Sequence, residues 1–580
     1  MIQPYRIQMT GTAGDGVIGA AELFHETAAA LGIHTSLYKS IPSSIRSGIT
    51  TATISLWNNT ISSPVGNAHC MALFTHSDSA LSDFASQQVY VNSYVFDLSG
   101  SSTKLPSSFA RQITTVPVAT LKPDSSPLFF IGILANLTDI APEQFNEILH
   151  CKHASRKQRL QSALADIANG YSWAKSVPTT VPVPSFLRSD KILTTINGND
   201  ALSSGAIDAG CRFFASYPIS PATTIGDSLS VNLPEIQGVA YQAEDEIAAI
   251  GAVTGASFSG VKAMTATSGP GFSLMHEFIS YLSAVELPAV IVDVQRAGPS
   301  TGIPTHHAQE DLLSAVFGGH GECSRIVLAP SSIENCYHTT IDAFNCAEQY
   351  ATPVIILSSC AFASASVTLQ QGTQLHPQVP ILQRKSVPDT NMDESFQRYT
   401  NENSTSPVLP SPGDLHPYRV TGLEHDHAAD PSESSAMHQY QTLRRELKLQ
   451  TIEHDYAHLI EWDLEKASSY NADFSIVAWG ADVPAVKTAV RILRKKGYSI
   501  AAVFPQILFP VCHNMFEKLL DYSYLLIIPE SNSSGQFSKL VRMHSGFSPV
   551  SLPFSNGEPI NPDILETEIA SLVLKRHKND

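Results

Sequence analysis

Residues 240–305 read AYQAEDEIAAIGAVTGASFSGVKAMTATSGPGFSLMHEFISYLSAVELPAVIVDVQRAGPSTGIPT. Two apolar runs in this stretch, Gly260 to Thr265 and Ala289 to Val294, suit buried strands. The small-residue stretch Glu246 to Ser257 between loop signals suits a helix. The alternation continues through Arg325 to Leu328 and Pro353 to Ser358. Strands alternating with helices predict a parallel, doubly wound α/β sheet.

Outward from this block, a unit opens with the strand Lys191 to Ile196, turns at Gly198-Asn-Asp200 and runs through the helix Ala201 to Cys211 to the strand Phe213 to Ser216. Before it, a strand Tyr5 to Met9 meets the glycine turn Gly11-Thr-Ala-Gly-Asp-Gly16. A helix follows with Ala20, Leu23, Phe24, Thr27, Ala28 and Leu31 on one face. Proline and threonine in Lys175 to Ser189 mark a boundary. After about residue 375, proline, serine and histidine accumulate, as in Ser404 to Pro412 and His425 to His427. A helix from Ala436 to Leu447 is the ordered part of this connector. A last α/β unit has strands Ser475 to Trp479, Ile500 to Phe504 and Tyr524 to Ile528, with a helix Ala485 to Lys495. The expected domains are 1–180, 190–372, a connector 373–470, and 471–580.

At 580 residues the chain exceeds what one core supports. Hydrophobic residues at 43% and charged residues at 15% exclude general disorder. A formal net charge of −17 weakens attraction to polyanions, so neither nucleic acid nor an anionic membrane is an expected partner. No run reaches the roughly 20 apolar residues of a membrane helix, and no signal peptide opens the sequence, which predicts a soluble, cytoplasmic protein. The eight cysteines include no C-x-x-C pair, and the 21 histidines show no ligand spacing, so no metal site is expected on this chain.

Several motifs carry candidate chemistry. Three acids, Glu244, Asp245 and Glu246, crowd the start of a helix. They suit its dipole as caps, and one of them can instead exchange a proton with a heterocycle nitrogen. The turn Thr267-Ser-Gly-Pro-Gly271 can present backbone to a flat ligand. Arg296, the only basic residue of Gln295 to Gly302, has the planar fork that suits a carboxylate. Ser216-Tyr-Pro-Ile-Ser-Pro221 likewise ends a strand, where open α/β sheets bind ligands. The Gly11–Gly16 turn can cradle a phosphate or simply join strand to helix, since its glycines do not stand as G-x-G-x-x-G. Asp15 lies in a Gly-Asp-Gly, which opens the magnesium and diphosphate motif of thiamine diphosphate enzymes. The asparagine that motif needs some 25 to 30 residues later is missing, because Asn58 and Asn59 come too late.

Taken together these blocks resemble the 2-oxoacid:ferredoxin oxidoreductases, in the form whose alpha subunit carries the gamma domain fused at its N-terminus. The resemblance rests on Gly198-Asn-Asp-Ala-Leu, Ala209-Gly-Cys-Arg-Phe-Phe-Ala-Ser-Tyr-Pro-Ile-Ser-Pro221, Gln242-Ala-Glu-Asp-Glu-Ile-Ala, Thr267-Ser-Gly-Pro-Gly-Phe-Ser-Leu-Met275 and Arg296-Ala-Gly-Pro-Ser-Thr-Gly-Ile-Pro-Thr305. Lys39-Ser-Ile-Pro-Ser-Ser-Ile-Arg46-Ser-Gly48 resembles the gamma domain's signature, Thr421-Gly-Leu-Glu-His-Asp426 the connector's, and Asn532-Ser-Ser-Gly-Gln536 that of the transketolase C-terminal-like domain.

The resemblance implies a thiamine diphosphate pyrimidine-binding domain at 190–372. Glu246 is then the glutamate that protonates the aminopyrimidine. Ser220, Arg296, Tyr217 and Thr301 are the implied substrate-binding residues, and Pro218, Ser268, Gly269, Pro270 and Gly271 the implied cofactor-binding ones. It also implies oxidative decarboxylation of a 2-oxoacid, 2-oxoglutarate before pyruvate, to an acyl-coenzyme A, with electrons passing to ferredoxin. Mg²⁺ and an iron–sulfur cluster are expected on a beta subunit, in a heterodimer or a dimer of heterodimers.

Three departures stand out. Thr224 replaces a glutamate, His306-His307-Ala308 replaces a lysine-containing stretch, and the first glycine loop reads Thr-Ala-Gly-Asp. His306 and His307 can hydrogen-bond a carboxylate or be plain exposed loop residues. The altered loops keep open a non-catalytic relative acting as an assembly subunit. A nucleotide-binding protein working through Gly11–Gly16 is the third reading, and it predicts indifference to Glu246→Ala.

Overall fold

The computed structural model describes residues 4–42, 48–59, 63–75, 89–98, 113–116, 126–176, 183–370, 375–384, 396–399, 407–414, 417–465, 467 and 469–577. The core of the Lys39–Gly48 signature, 43–47, lies outside them, as do 177–182 and 404–406 of the proline-rich stretches. The chain forms two compact units. One holds Met1–Asn197, Ser364–Gln374 and Ile560–Glu568, and the other Gly198–Ala363, Leu375–Pro559 and Ile569–Asp580.

The first unit is built on a mixed eight-stranded sheet. Its strands run Ile113–Val116, Val89–Asp97, Ala68–Leu73, Tyr5–Thr12, Ile49–Trp57, His34–Ser40, Ala365–Gln370 and Leu193–Asn197 across the sheet. The last of these corrects the sequence reading, which opens the second unit with it. Leu193–Asn197 pairs antiparallel with Ala365–Gln370, which itself pairs with His34–Ser40. A strand's own residues fix its faces but not which sheet its edge joins. Helices Val17–Ala30, Pro127–Leu137 and Lys157–Ser176 pack on the apolar core around Phe24, Phe96, Phe130 and Ile167. The last two helices cross backbone to backbone at Gly132 and Gly170. A Cβ at Gly132 would stand 2.1 Å from the Ile167 carbonyl oxygen, and one at Gly170 1.9 Å from that of Phe129.

The second unit carries the predicted doubly wound architecture. Its seven-stranded sheet runs Ile507–Phe509, Ile326–Leu328, Pro353–Ser359, Ala289–Gln295, Ala263–Thr267, Phe213–Ser216 and Val239–Gln242, parallel except for the first. Every residue of Ala289–Gln295 is buried, as a central parallel strand covered on both faces requires. A five-stranded sheet runs Ile460–Asp463, Ile500–Pro505, Phe474–Val477, Leu526–Glu530 and Val550–Pro553, again with only its first strand antiparallel.

The connector helix spans Ser435–Asp455, longer than its sequence predicts, and is capped by Ser434, whose side chain accepts from the Met437 amide. It buries Arg444 and Lys448, and both pair with the fully buried Glu286. Burial pushes the Glu286 carboxyl up, but the two cations outweigh it and hold it down at about 2. Burial pulls Lys448 down to about 8, so it is still protonated at neutral pH, as the pairing requires. Among the described residues no helix is long and apolar enough to cross a membrane.

Candidate active site

The strands Val239–Gln242, Phe213–Ser216, Ala263–Thr267 and Ala289–Gln295 are neighbours and run parallel, so the segments that follow them open on one edge of the sheet. Each sequence-predicted site residue follows one of these strands. That edge is where open α/β sheets bind ligands.

The three clustered acids divide the labour. Asp245 is the N-cap of the helix Glu246–Phe258, its carboxylate accepting from the Ala248 amide at 2.7 Å. Glu244 is exposed, and Glu246, the first helical residue, is 7% exposed. Its side chain passes over Gly271, where an added Cβ would come within 2.5 Å of Oε1 and 2.2 Å of Thr267 Oγ1. The glycine is there because Thr267 Oγ1 and the Glu246 side chain together occupy the space a side chain would fill. Ser268 holds the Gly269–Pro270–Gly271 turn onto the next strand by donating from Oγ to the Val294 carbonyl at 2.9 Å.

Arg296 is buried at the end of its strand, and its Nη1 donates to the Ser220 carbonyl at 2.6 Å. Its Nε has no partner. Burial pulls the guanidinium down from its ordinary value, while Asp293 and Asp311 push it back up. Ser220 and Arg296 are therefore brought together, through the serine's backbone. Tyr217, 42% exposed, and Pro218 stand at the rim of the same loop, and Thr301 is exposed in the turn beyond Arg296. Asn199 supports this loop by donating from Nδ2 to the Pro221 carbonyl and to Thr224 Oγ1, each at 2.8 Å. Thr224 thus props the loop from behind.

A cavity of about 400 Å³ opens between these loops and the segment Asn532–Gln536, with Arg296, Pro270, Glu310, Asp311, Asn532 and Gln536 among its walls. Asn532 donates to the Gln309 carbonyl at 3.1 Å, and Gln536 Oε1 accepts from the Leu313 amide at 3.0 Å, which hold that segment over residues 309–313. His306 and His307 are not simple exposed loop residues. His307 is buried with Nε2 3.6 Å from Asp482 Oδ1, its amide donating to the Gly557 carbonyl, and half-buried His306 lies 3.4 Å from Glu558. Both departures are absorbed in loop support and packing.

Residues 204–445 match the family model described as pyruvate flavodoxin/ferredoxin oxidoreductase, thiamine diphosphate-binding, and residues 6–173 the one described as pyruvate ferredoxin/flavodoxin oxidoreductase. The 2-oxoglutarate synthase subunit KorA of Methanothermobacter marburgensis is 38% identical over 378 residues, which are 65% of this chain and 98% of that one. The chain belongs to the 2-oxoacid:ferredoxin oxidoreductases. A second relative of this oxidoreductase, the 2-oxoglutarate oxidoreductase subunit KorA of Mycobacterium tuberculosis, is 31% identical over 428 residues, covering 72% of this chain and 63% of that one. The 2-oxoglutarate:ferredoxin oxidoreductase of Magnetococcus marinus, solved with 2-oxoglutarate, coenzyme A and succinyl-CoA bound, superposes with a TM-score of 0.89 at 28% identity, over 98% of this chain and 100% of that one. The two family models thus follow one another in this one chain, residues 6–173 before 204–445, as expected of an alpha subunit with a fused N-terminal domain.

Sequence reasoning gave no role to most of the wall of the oxidoreductase's cavity, Glu310, Asp311, Asn532 and Gln536 among it. Glu310 accepts from the Gly298 amide at 2.9 Å, and Asp311 lies beside Gly269, where a Cβ would meet its carboxylate at 3.1 Å. Asn532 and Gln536 carried a domain signature but no assigned role. That signature was their signal, and Glu310 and Asp311 left none.

Proposed function

We propose that this chain is the alpha subunit of a thiamine diphosphate-dependent oxidoreductase that converts 2-oxoglutarate, coenzyme A and oxidised ferredoxin to succinyl-CoA, carbon dioxide and reduced ferredoxin. The observation that carries the reading is the buried Glu246 carboxylate lying over Gly271, on the same sheet edge as the one basic group of the cavity wall, Arg296. A flat aminopyrimidine fits that arrangement, because Gly269 and Gly271 of the turn offer backbone without side chains beside an acid shielded from water. Once bound, thiamine diphosphate supplies a nucleophilic carbon and an electron sink.

Glu246 holds a proton against a pyrimidine nitrogen and exchanges it there, and burial keeps water from competing. Ser268, Gly269, Pro270 and Gly271 form the seat of the ring, with Pro218 at its edge. Arg296 takes the 2-oxoacid's carboxylate by its planar fork, pinned by the Ser220 carbonyl, and Ser220, Tyr217 and Thr301 complete the rim on this side.

The pyrimidine-binding domain lies within Gly198–Ala363, preceded in the chain by the gamma domain and followed by the connector and the transketolase C-terminal-like domain at 471–580. A beta subunit brings Mg²⁺ and the iron–sulfur cluster. The exposed side chains Tyr217, Tyr241, Ile247, Leu274 and Ile303, all within five residues of a site residue in sequence, support its docking at this edge. The assembly is a heterodimer or a dimer of heterodimers in the cytoplasm.

The test is viologen reduction by the complex of this chain with its beta subunit, with 2-oxoglutarate, pyruvate and a branched 2-oxoacid compared at equal concentration. A kcat/KM highest for 2-oxoglutarate is the expected result. A preference for pyruvate keeps the chemistry and overturns the substrate.

A further inference from the structure

Asp293 is the single acid of the wholly buried strand Ala289–Gln295, and neither of its carboxylate oxygens receives a hydrogen bond from a donor. The group that faces it is Asp311, close enough for a proton on one carboxyl to be donated to the other. Asp311 occupies the N-cap of the helix Leu312–Phe317 yet forgoes the capping bond that position offers. Its backbone is fixed instead, the amide donating to Gln295 Oε1 at 3.2 Å while Gln295 Nε2 donates to the Ser358 carbonyl at 3.1 Å. Asp311 also lines the cavity next to Arg296.

Two facing carboxyls, Asp293 wholly buried and Asp311 reaching only the cavity, resist ionising together, because each charge repels the other and Asp293 has no water to solvate it. One proton must stay between them. Burial, then Asp311, raises Asp293 well above the usual carboxylate range, with Arg296 opposing. Burial, then Glu310, pushes Asp311 up to about 6, with Asp293 and Arg296 opposing. Arg296, Glu310 and the pair itself are the charged groups that face this site from its neighbouring segments, and the Cys360 thiol is the other titratable group beside Arg296.

We propose that Asp293 and Asp311 form a proton-sharing pair whose second proton decides whether Arg296 is free for the substrate carboxylate, which makes Asp311 a positioning residue. The proposal rests on the reading that Arg296 binds that carboxylate. With two protons the pair is neutral and the guanidinium's charge is available to the 2-oxoacid. With one proton the pair is an anion and competes for Arg296. Substrate binding near neutral pH is then coupled to uptake of a proton by the pair.

Two measurements on the whole complex test this. In steady-state assays, KM for the 2-oxoacid should rise about three- to tenfold between about pH 5.5 and 7.5, in line with tenfold per unit of a fully coupled group. D293N/D311N, permanently neutral, should lose that slope. A KM slope unchanged from wild type in D293N/D311N overturns the proposal, since a purely structural role would lower activity at every pH alike. Calorimetry on the wild-type complex covers the case in which the double variant does not fold. Titration with a non-reacting isostere such as N-oxalylglycine, in two buffers of different ionisation enthalpy at pH 6.5, should show uptake of a fraction of a proton. Absence of uptake, or of binding, overturns the proposal. Failure of the functional reading shows separately, as wild-type complex that turns over no 2-oxoacid.

Discussion

Glu246 Oε1 and the α-carbon of Gly271 stand so close that no side chain fits between them, a Cβ at residue 271 falling 2.5 Å from the oxygen. One residue's identity is thereby set by another's chemistry across the sheet edge. Gly271→Ala should displace the carboxylate with little change in the fold around it. Loss of a positioned acid is worth about 10²- to 10⁴-fold, so kcat should fall by at least about 10²-fold. Kinetics of the purified variant complex, with circular dichroism to confirm folding, check this, and near-normal kcat would show that the carboxylate need not lie there.

Arg296 is held by one short bond to the Ser220 carbonyl, its Nε has no partner, and in the proposed reaction its fork takes the 2-oxoacid carboxylate. Arg296→Lys keeps a charge but loses the fork, and hydrogen bonds to charged groups are worth about 1.5–3 kcal/mol. A fall in kcat/KM of about 10- to 100-fold is therefore expected, read from initial rates at low 2-oxoacid concentration.

Glu286 ties the connector helix to the sheet domain through Arg444 and Lys448. Glu286→Gln leaves two buried cations uncompensated and should cost about 3–5 kcal/mol. Because the folded carboxyl sits at about 2 against an ordinary 4.5, the pairing stabilises fully above pH 4.5 and fades as pH falls towards 2. The gap in melting midpoint between wild type and E286Q should accordingly shrink from pH 5 to pH 3. A gap independent of pH would place the cost elsewhere.

In the first unit the helices Pro127–Leu137 and Lys157–Ser176 meet at Gly132 and Gly170, with no room for a methyl group against carbonyl oxygens. Gly170→Ala should cost about 1–3 kcal/mol by overpacking. Thermal melting of the complex measures it, and an unchanged midpoint would show that the helices separate freely.

The second unit's fold was legible because its strands are short apolar runs punctuated by helices, and a central parallel strand needs only to be apolar throughout. Leu193–Asn197 reads in sequence as the opening of the second unit because its sheet neighbours come from distant segments, Ala365–Gln370 and beyond it His34–Ser40. Glu246, Ser268 and Arg296 were legible as motif residues following strands. Asp311, Asn532 and Gln536 were not, since they reach the cavity only through tertiary folding and each is an ordinary polar loop residue in sequence. His306 and His307 read as loop residues because nothing nearby in the chain announces Asp482 and Glu558.

The most direct test compares wild type with Glu246→Ala in the intact complex, assayed for viologen reduction with 2-oxoglutarate, coenzyme A and thiamine diphosphate. Reduction by wild type and none by E246A, with both complexes equally assembled, is the predicted result. Reduction by E246A at the wild-type rate would contradict the role given to this carboxylate. So would a stable wild-type complex, clusters bound, that reduces viologen with no 2-oxoacid.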